Sequence, residues 1–233
     1  MLVSLVESPL TWTGADVKKE NYFFEFSRQA LSEILNLLEY LEQKPSFNLD
    51  DLRAHDLPLC RELMSKVKTV LDQGLGFAFL GGLETILDSI SPQEVETTLL
   101  ALSSMICRPV PQNRQGFMLW DVKDTGLKPL AGSGIRASQS NVPLDFHVDN
   151  ASNLLFPHYV GLLALQVTQE GGKSRFANIR TIHNRLRQKY PHVLERLYQP
   201  FYFDRMGEHA PGEEPTLYRP IFEEQEGFLL ARL

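Results

Sequence analysis

Cysteine is scarce in this sequence. Cys60 and Cys107 are the only two in 233 residues, and they lie far apart. A lone pair cannot build a thiolate metal cage and makes a poor disulfide framework, so two reduced, buried thiols are expected. Basic charge is also short: 23 Lys and Arg face 29 Asp and Glu, a formal net charge of -6. That balance disfavours nonspecific binding to nucleic acid or to an anionic membrane, so neither is expected as a partner. No apolar run approaches the roughly 20 residues that span a bilayer. The opening MLVSLVESPLTW has no basic stretch before its short apolar run and no clear cleavage site, so no signal peptide is expected. Internal repeats and low-complexity linkers are lacking too. What is left is an ordinary globular composition, 43% hydrophobic and 22% charged, which predicts a soluble cytoplasmic protein. A chain of this length buries enough apolar surface to fold without a disulfide or metal staple.

The first part, residues 1–73, reads as mainly helical. Between Ser27 and Gln43, Leu31, Ile34, Leu35, Leu38 and Leu41 recur at helical spacing. A second amphipathic stretch follows Pro58, with Leu59, Leu63, Val67, Val70 and Leu71 on one stripe, and Gly74 and Gly76 mark its end. From residue 74 a β-core with inserted helices is expected. GFAFLGG is a short apolar run bounded by glycines and predicts a buried strand. Ser91-Pro92-Gln93-Glu94 is a helix start, with Ser91 as cap, Pro92 at the first position and Glu94 completing a capping box. That helix should run to Met105 or Cys107.

From Gln115 short apolar runs alternate with turn residues. YVGLLALQVT is long and apolar enough for a fully buried strand. Residues 178–198 return to helical spacing, and Pro191 inside them predicts two helices or a kink. The tail segments FYFDR, LYRPIFEE and GFLLARL read as further strands.

The chemistry concentrates in Asp145-Phe146-His147-Val148-Asp149-Asn150. In a strand, alternate side chains share one face, so Asp145, His147 and Asp149 point one way while Phe146 and Val148 pack on the other. A neutral imidazole and a carboxylate two residues apart form two corners of a facial metal site, which one more nitrogen ligand completes. A hydrogen-bonded surface pair is the alternative for any isolated H-x-D tripeptide.

Read together, several segments resemble the taurine dioxygenase-like oxygenases, the TauD/TfdA superfamily, especially its γ-butyrobetaine hydroxylase and clavaminate synthase-like branches. The similarity begins with GLGFAFLGGL and continues through SPQEVETTLLALSSMICRPVPQNRQG. It includes PLDFHVDN and VGLLALQVTQEGGKSRFANIRTIHNRL, then YPHVLERLYQPFYFDR and RPIFEEQEGFLLARL. The resemblance implies an α+β protein with a double-stranded β-helix (jelly-roll, cupin-like) core flanked by helices, as one domain over residues 1–233. It also implies an iron(II)- and 2-oxoglutarate-dependent dioxygenase that hydroxylates or desaturates an unactivated C–H bond of a small molecule, an amino-acid derivative or biosynthetic intermediate, using molecular oxygen. Assembly into a homo-oligomer is left open.

Carried over residue by residue, the resemblance makes His147 and Asp149 iron ligands. It puts Ser174, after Gly171-Gly172-Lys173, where a hydroxyl bonds the 2-oxoglutarate carboxylate; a plain hairpin turn is the alternative. Asn150 lines the pocket or orients a ligand, or else ends the strand as a turn residue. Arg136 is a candidate for holding an anionic substrate group, or a plain loop residue. Asp145 falls outside the ligand pattern.

The resembling enzymes carry a second histidine, and beyond it an arginine that grips 2-oxoglutarate, nearer the C-terminus. Neither has a counterpart in this sequence, so its domain is expected to lack C-terminal strands. His158 is the best internal substitute, while His183, His192 and His209 suit solvated roles. Two other readings follow: a catalytically silent metal- or ligand-binding relative of the same fold, and a hydrolytic zinc site.

Overall fold

Ser27 opens the first long helix as the apolar spacing predicts. In the computed structural model, which describes residues 10–44, 46, 48–112, 116–128, 137–152, 157–205, 209–225 and 227–233, α1 spans Arg28–Glu42 and the Ser27 side chain accepts from the Ala30 amide. Leu31, Ile34, Leu37, Leu38 and Leu41 are its buried face. Leu35, expected on that stripe, is 38% exposed, because the buried arc centres one position further on.

The chain divides into two compact units. One comprises Ser8–Trp120 with Gly161–Gly172; the other holds Asp121–Val160 and Lys173–Leu233. In the first, α2 (Leu49–Ala54), α3 (Pro58–Gln73), α4 (Glu84–Leu87) and α5 (Pro92–Ile106) follow α1. Helices α1, α3 and α5 pack on one another, and α2 packs on α5. Their core includes Leu37, Leu52, Leu57, Cys60, Met64 and Leu102. α5 begins with the expected box: Ser91 accepts from the Glu94 amide, and the Glu94 carboxylate accepts from the Ser91 amide at 2.6 Å. α2 has the same device from Asn48 and Asp51.

α3 has no side-chain cap of its own at Leu57. Glu33 on α1 supplies one, its two oxygens each accepting at 3.0 Å from the amides of Leu59 and Cys60. A carboxylate here meets both the orphan donors and the positive end of the helix dipole. Glu33→Ala should therefore lower stability by about 1–2 kcal/mol, read as a reduced urea midpoint with an unchanged slope. Cys60 is buried beside it; burial, with the Glu33 hydrogen bond and charge adding, pushes the thiol up to about 12. Both cysteines are free, but only Cys60 has the burial expected of the pair, Cys107 being half-buried.

β1 (Phe23–Glu25) and β2 (Phe79–Gly81) pair in parallel. The glycine-bounded run is thus a strand, but an edge one: Phe79 is 43% exposed. Gly82 follows at φ +97°, and a Cβ there would meet the Phe26 carbonyl oxygen at 3.0 Å, so only glycine suits the turn.

In the second unit, residues 178–198 form two helices, α6 (Ile179–Lys189) and α7 (Pro191–Leu197). Pro191 starts α7 because a proline fits a first turn but not a helix interior. The expected tail strands follow. β3 (Pro200–Asp204) pairs antiparallel with β4 (Thr216–Pro220), and β5 (Phe222–Gln225) with β6 (Phe228–Ala231). Leu194, Phe222 and Ala231 form the small core, with Ile179, Leu186 and Leu197 packed against it.

Two expectations fail here. YVGLLALQVT is neither a strand nor buried: Leu162 is 80% and Val167 86% exposed. An apolar run records a capacity for burial, but a strand needs a ladder partner, and among the described residues none pairs with this one. His183 is the reverse case, expected solvated and found fully buried, its Nε2 2.9 Å from the Tyr198 hydroxyl and its ring edge-on to Phe222 at 5.3 Å.

Burial holds the His183 imidazole below its ordinary pKa; a hydrogen bond to Asn184 opposes this and the Arg187 charge adds to it. The unfolded chain therefore takes up the proton more readily than the folded one. The stabilising contribution is complete above the unfolded value of about 6.5 and is lost as pH falls through the lower folded value. Stability should drop on acidification below about pH 6.5, and His183→Gln should flatten that limb of a urea-midpoint profile.

The chain thus has the mixed helix and strand content expected of the α+β class, with three two-stranded sheets among the described residues. Among those residues, no helix is long and apolar enough to cross a membrane.

Candidate metal centre

Residues 145–148 are irregular rather than a strand, and Asp149 to Ser152 form a turn. Too few ladder bonds reach this segment to make it a strand; the Val148 amide donates to the Leu233 carbonyl at a long 3.4 Å. The turn closes through the Ala151 amide, which donates to the Val148 carbonyl at 3.3 Å. Asn150 sits at φ +56°, in the left-handed region that asparagine tolerates better than most residues. Its turn role is therefore visible in the backbone.

The predicted pair nevertheless comes together. His147 Nε2 lies 3.1 Å from Asp149 Oδ1, with the two side chains 43% and 47% exposed. On its other side, His147 Nδ1 is 2.8 Å from the Asp145 carbonyl oxygen. Nδ1 is placed to donate to that carbonyl; a neutral ring then presents Nε2 as a possible ligand, while a ring protonated on both nitrogens donates from Nε2 to Asp149. Asp145 thus acts through its backbone, as an orienting partner for the imidazole.

At this separation either a proton on Nε2 or a metal ion bound by both groups offsets the repulsion between two electron-pair donors. Ligands on adjacent corners of an octahedron with bonds of about 2.1 Å stand about 3 Å apart, which matches the His147–Asp149 separation. The donor set, one imidazole nitrogen and one carboxylate oxygen, suits a divalent first-row metal. His147 and Asp149 therefore fit iron(II) as two of its ligands. Among the described residues, no group of three His, Cys, Asp or Glu side chains comes together, so His158 does not complete the set.

Ser174 lies exposed in the irregular stretch before α6, and no hydrogen bond joins it to His147 or Asp149 among the described residues. Its neighbour does reach the motif: the Arg175 guanidinium stands over the Phe146 ring at 5.0 Å, a cation–π contact that sets this stretch beside His147. Gly171 and Gly172, ahead of it, both sit at positive φ, but no hairpin turn is formed there. Arg136 lies outside the described residues. Arg175 carries no sequence signal beyond its place next to Ser174, since nothing local pairs it with Phe146.

A family profile now decides what this motif belongs to. The profile described as "Taurine catabolism dioxygenase TauD, TfdA family" matches residues 37–231, most of the chain. The chain belongs to the TauD/TfdA family. The TauD/TfdA resemblance read from the sequence is therefore right, and it places the chain in an oxygenase class whose members typically use iron(II) and 2-oxoglutarate. Over 238 aligned positions the chain is 27% identical to FR-33289 synthase of Streptomyces rubellomurinus, with 99% of this chain and 68% of that protein covered. It is 32% identical over 87 residues to the Taurine hydroxylase-like protein SAT17 of Stachybotrys chartarum, covering 37% of this chain and 20% of that protein. The chain thus spans about two thirds of the first TauD/TfdA relative and a fifth of the second.

Proposed function

We propose that this chain carries part of the active site of an iron(II)- and 2-oxoglutarate-dependent dioxygenase that oxidises an unactivated C–H bond of a small molecule. The observation that carries the reading is the His147–Asp149 pair, 3.1 Å apart, with the imidazole Nδ1 held 2.8 Å from the Asp145 carbonyl oxygen. Family membership over residues 37–231 supports it. The double-stranded β-helix core is part of the same proposal, with β3 to β6 as its return strands. Iron(II), when bound with 2-oxoglutarate, supplies the oxidative chemistry with molecular oxygen.

The residues have separable tasks. His147 presents Nε2 and Asp149 its carboxylate to the metal, and the Asp145 carbonyl keeps the imidazole ring from turning away. Asn150, at the turn, directs the chain back past the ligands. Ser174 offers a hydroxyl for the 2-oxoglutarate carboxylate, on a stretch that Arg175 fastens to Phe146. Arg136 is the candidate for an anionic group on the substrate. A small polar molecule, such as an amino-acid derivative or biosynthetic intermediate, is the substrate class proposed.

One observation favours a second reading. No third His, Cys, Asp or Glu joins the pair among the described residues, as would hold for a catalytically silent relative that binds metal or ligand alone. Succinate release separates the two. The purified chain, supplied with iron(II), ascorbate, 2-oxoglutarate and air, should release succinate above a His147→Ala control. Iron bound through His147 without succinate would fit the silent relative and contradict turnover by this chain alone.

A further inference from the structure

Arginine is among the costliest side chains to bury, because its guanidinium stays charged and needs partners for its N–H donors. Arg232 is nevertheless only 4% exposed. It stands directly after β6, and its Nη1 donates at 2.9 Å to the carbonyl of Ala151, 81 residues earlier in the chain. Burial lowers its pKa and the Glu223 carboxylate opposes that, but an arginine remains a cation throughout.

The partner it has chosen is informative. Ala151 closes the turn that starts at Val148 and holds Asp149 and Asn150. The other end of that turn is tied to the same place, the Val148 amide donating to the Leu233 carbonyl. Two successive residues, 232 and 233, thus grip both ends of a four-residue turn that carries a proposed metal ligand. The grip is itself fixed: the Arg232 amide donates to the Ile221 carbonyl at 2.8 Å, and Phe222 and Ala231 lie in the core of this unit. Asn150 at positive φ makes the turn tight, so little slack exists between the tie at Ala151 and the carboxylate of Asp149.

We infer that Arg232 is a positioning residue for the metal pair, anchoring the Val148–Ala151 turn so that Asp149 meets His147 at ligand spacing. This rests on the reading of His147 and Asp149 as metal ligands. Arg232 acts through the Ala151 carbonyl. A hydrophobic residue of similar length would fill the same volume at lower desolvation cost but would leave the carbonyl unbonded and the turn free at one end.

Cobalt(II), a spectroscopic stand-in for iron(II), provides the test. Its visible absorption reports both affinity and coordination geometry on titration into the metal-free chain. Arg232→Met should bind cobalt at least about tenfold more weakly than the parent, the scale on which groups orienting a ligand act, with an altered band envelope. Arg232→Lys, which keeps a cationic donor, should recover part of the loss. Far-UV circular dichroism without metal should be the same for all three. An Arg232→Met chain with parental affinity and spectrum would overturn the inference.

Should Arg232→Met not fold, hydrogen exchange of the parent chain decides. Cobalt should slow exchange in 148–151 and 228–233 together, since a coupling between two sites is reciprocal. Protection of 148–151 alone would overturn the inference. Failure of the underlying reading looks different: the parent would bind cobalt no better than His147→Ala.

Discussion

A His147→Ala chain should bind iron(II) more than about a hundredfold more weakly than the parent, because on the proposed reading the change removes a ligand rather than a group that merely orients one. Calorimetric titration under argon measures this directly. The fold should survive, since the His147 side chain is 43% exposed and lies in an irregular segment. Asp149→Asn is the sharper companion. It preserves shape but takes away the negative charge, so it should weaken binding comparably while leaving the Nδ1 bond to the Asp145 carbonyl intact. If both variants bind as the parent does, the pair is a surface contact and the metal lies elsewhere.

The largest effect on stability should come from Phe222→Ala. Phe222 is 2% exposed and is the largest fully buried side chain among the described residues. It packs against His183 at 5.3 Å and Tyr198 at 6.0 Å between ring centroids. Truncating such a residue costs about 3–5 kcal/mol through lost transfer energy and the cavity left behind. Its core has few other buried members, Leu194 and Ala231, so little can collapse into the gap. Urea denaturation should show a loss of this size. Leu35→Ala on α1, where the leucine is 38% exposed, should stay within about 0.5 kcal/mol of the parent. Phe222→Ala should also loosen Arg232, because β5 carries Phe222 and Arg232 follows its partner strand β6, its amide bonded to the Ile221 carbonyl just before β5.

The local chemistry of helix ends is legible in the sequence. Ser91-Pro92-Gln93-Glu94 encodes a cap through side chains three residues apart, and Pro58 and Pro191 start helices because proline fits only their first turn. The Asn48–Asp51 box of α2 carries the same signal, but α2 is short and polar, with no apolar periodicity to mark it as a helix. The proposed metal pair is legible for a similar reason. In an extended backbone, residues i and i+2 point to one side, so the spacing alone puts His147 and Asp149 on one face, while the turn that sets their distance lies outside that local pattern.

Features that depend on distant partners are not legible. Helical periodicity places His183 on α6, but its burial is set by Tyr198 and Phe222, which other elements bring to it. The exposure of Leu162 and Val167 depends on which strands lie beside them, something no local pattern encodes. Arg232 reads as the end of an apolar strand, and only the tie to Ala151 gives it a role. The Glu33 cap on α3 belongs with these, since donor and acceptor lie on different helices.

The central claim is that His147 and Asp149 belong to an iron site that accepts 2-oxoglutarate. It is tested most directly by titrating the purified chain anaerobically with iron(II) and then 2-oxoglutarate while following the visible metal-to-ligand charge-transfer band. The account predicts a band that develops with 2-oxoglutarate and is lost in His147→Ala. No band in the parent chain, or one indifferent to His147, would contradict it.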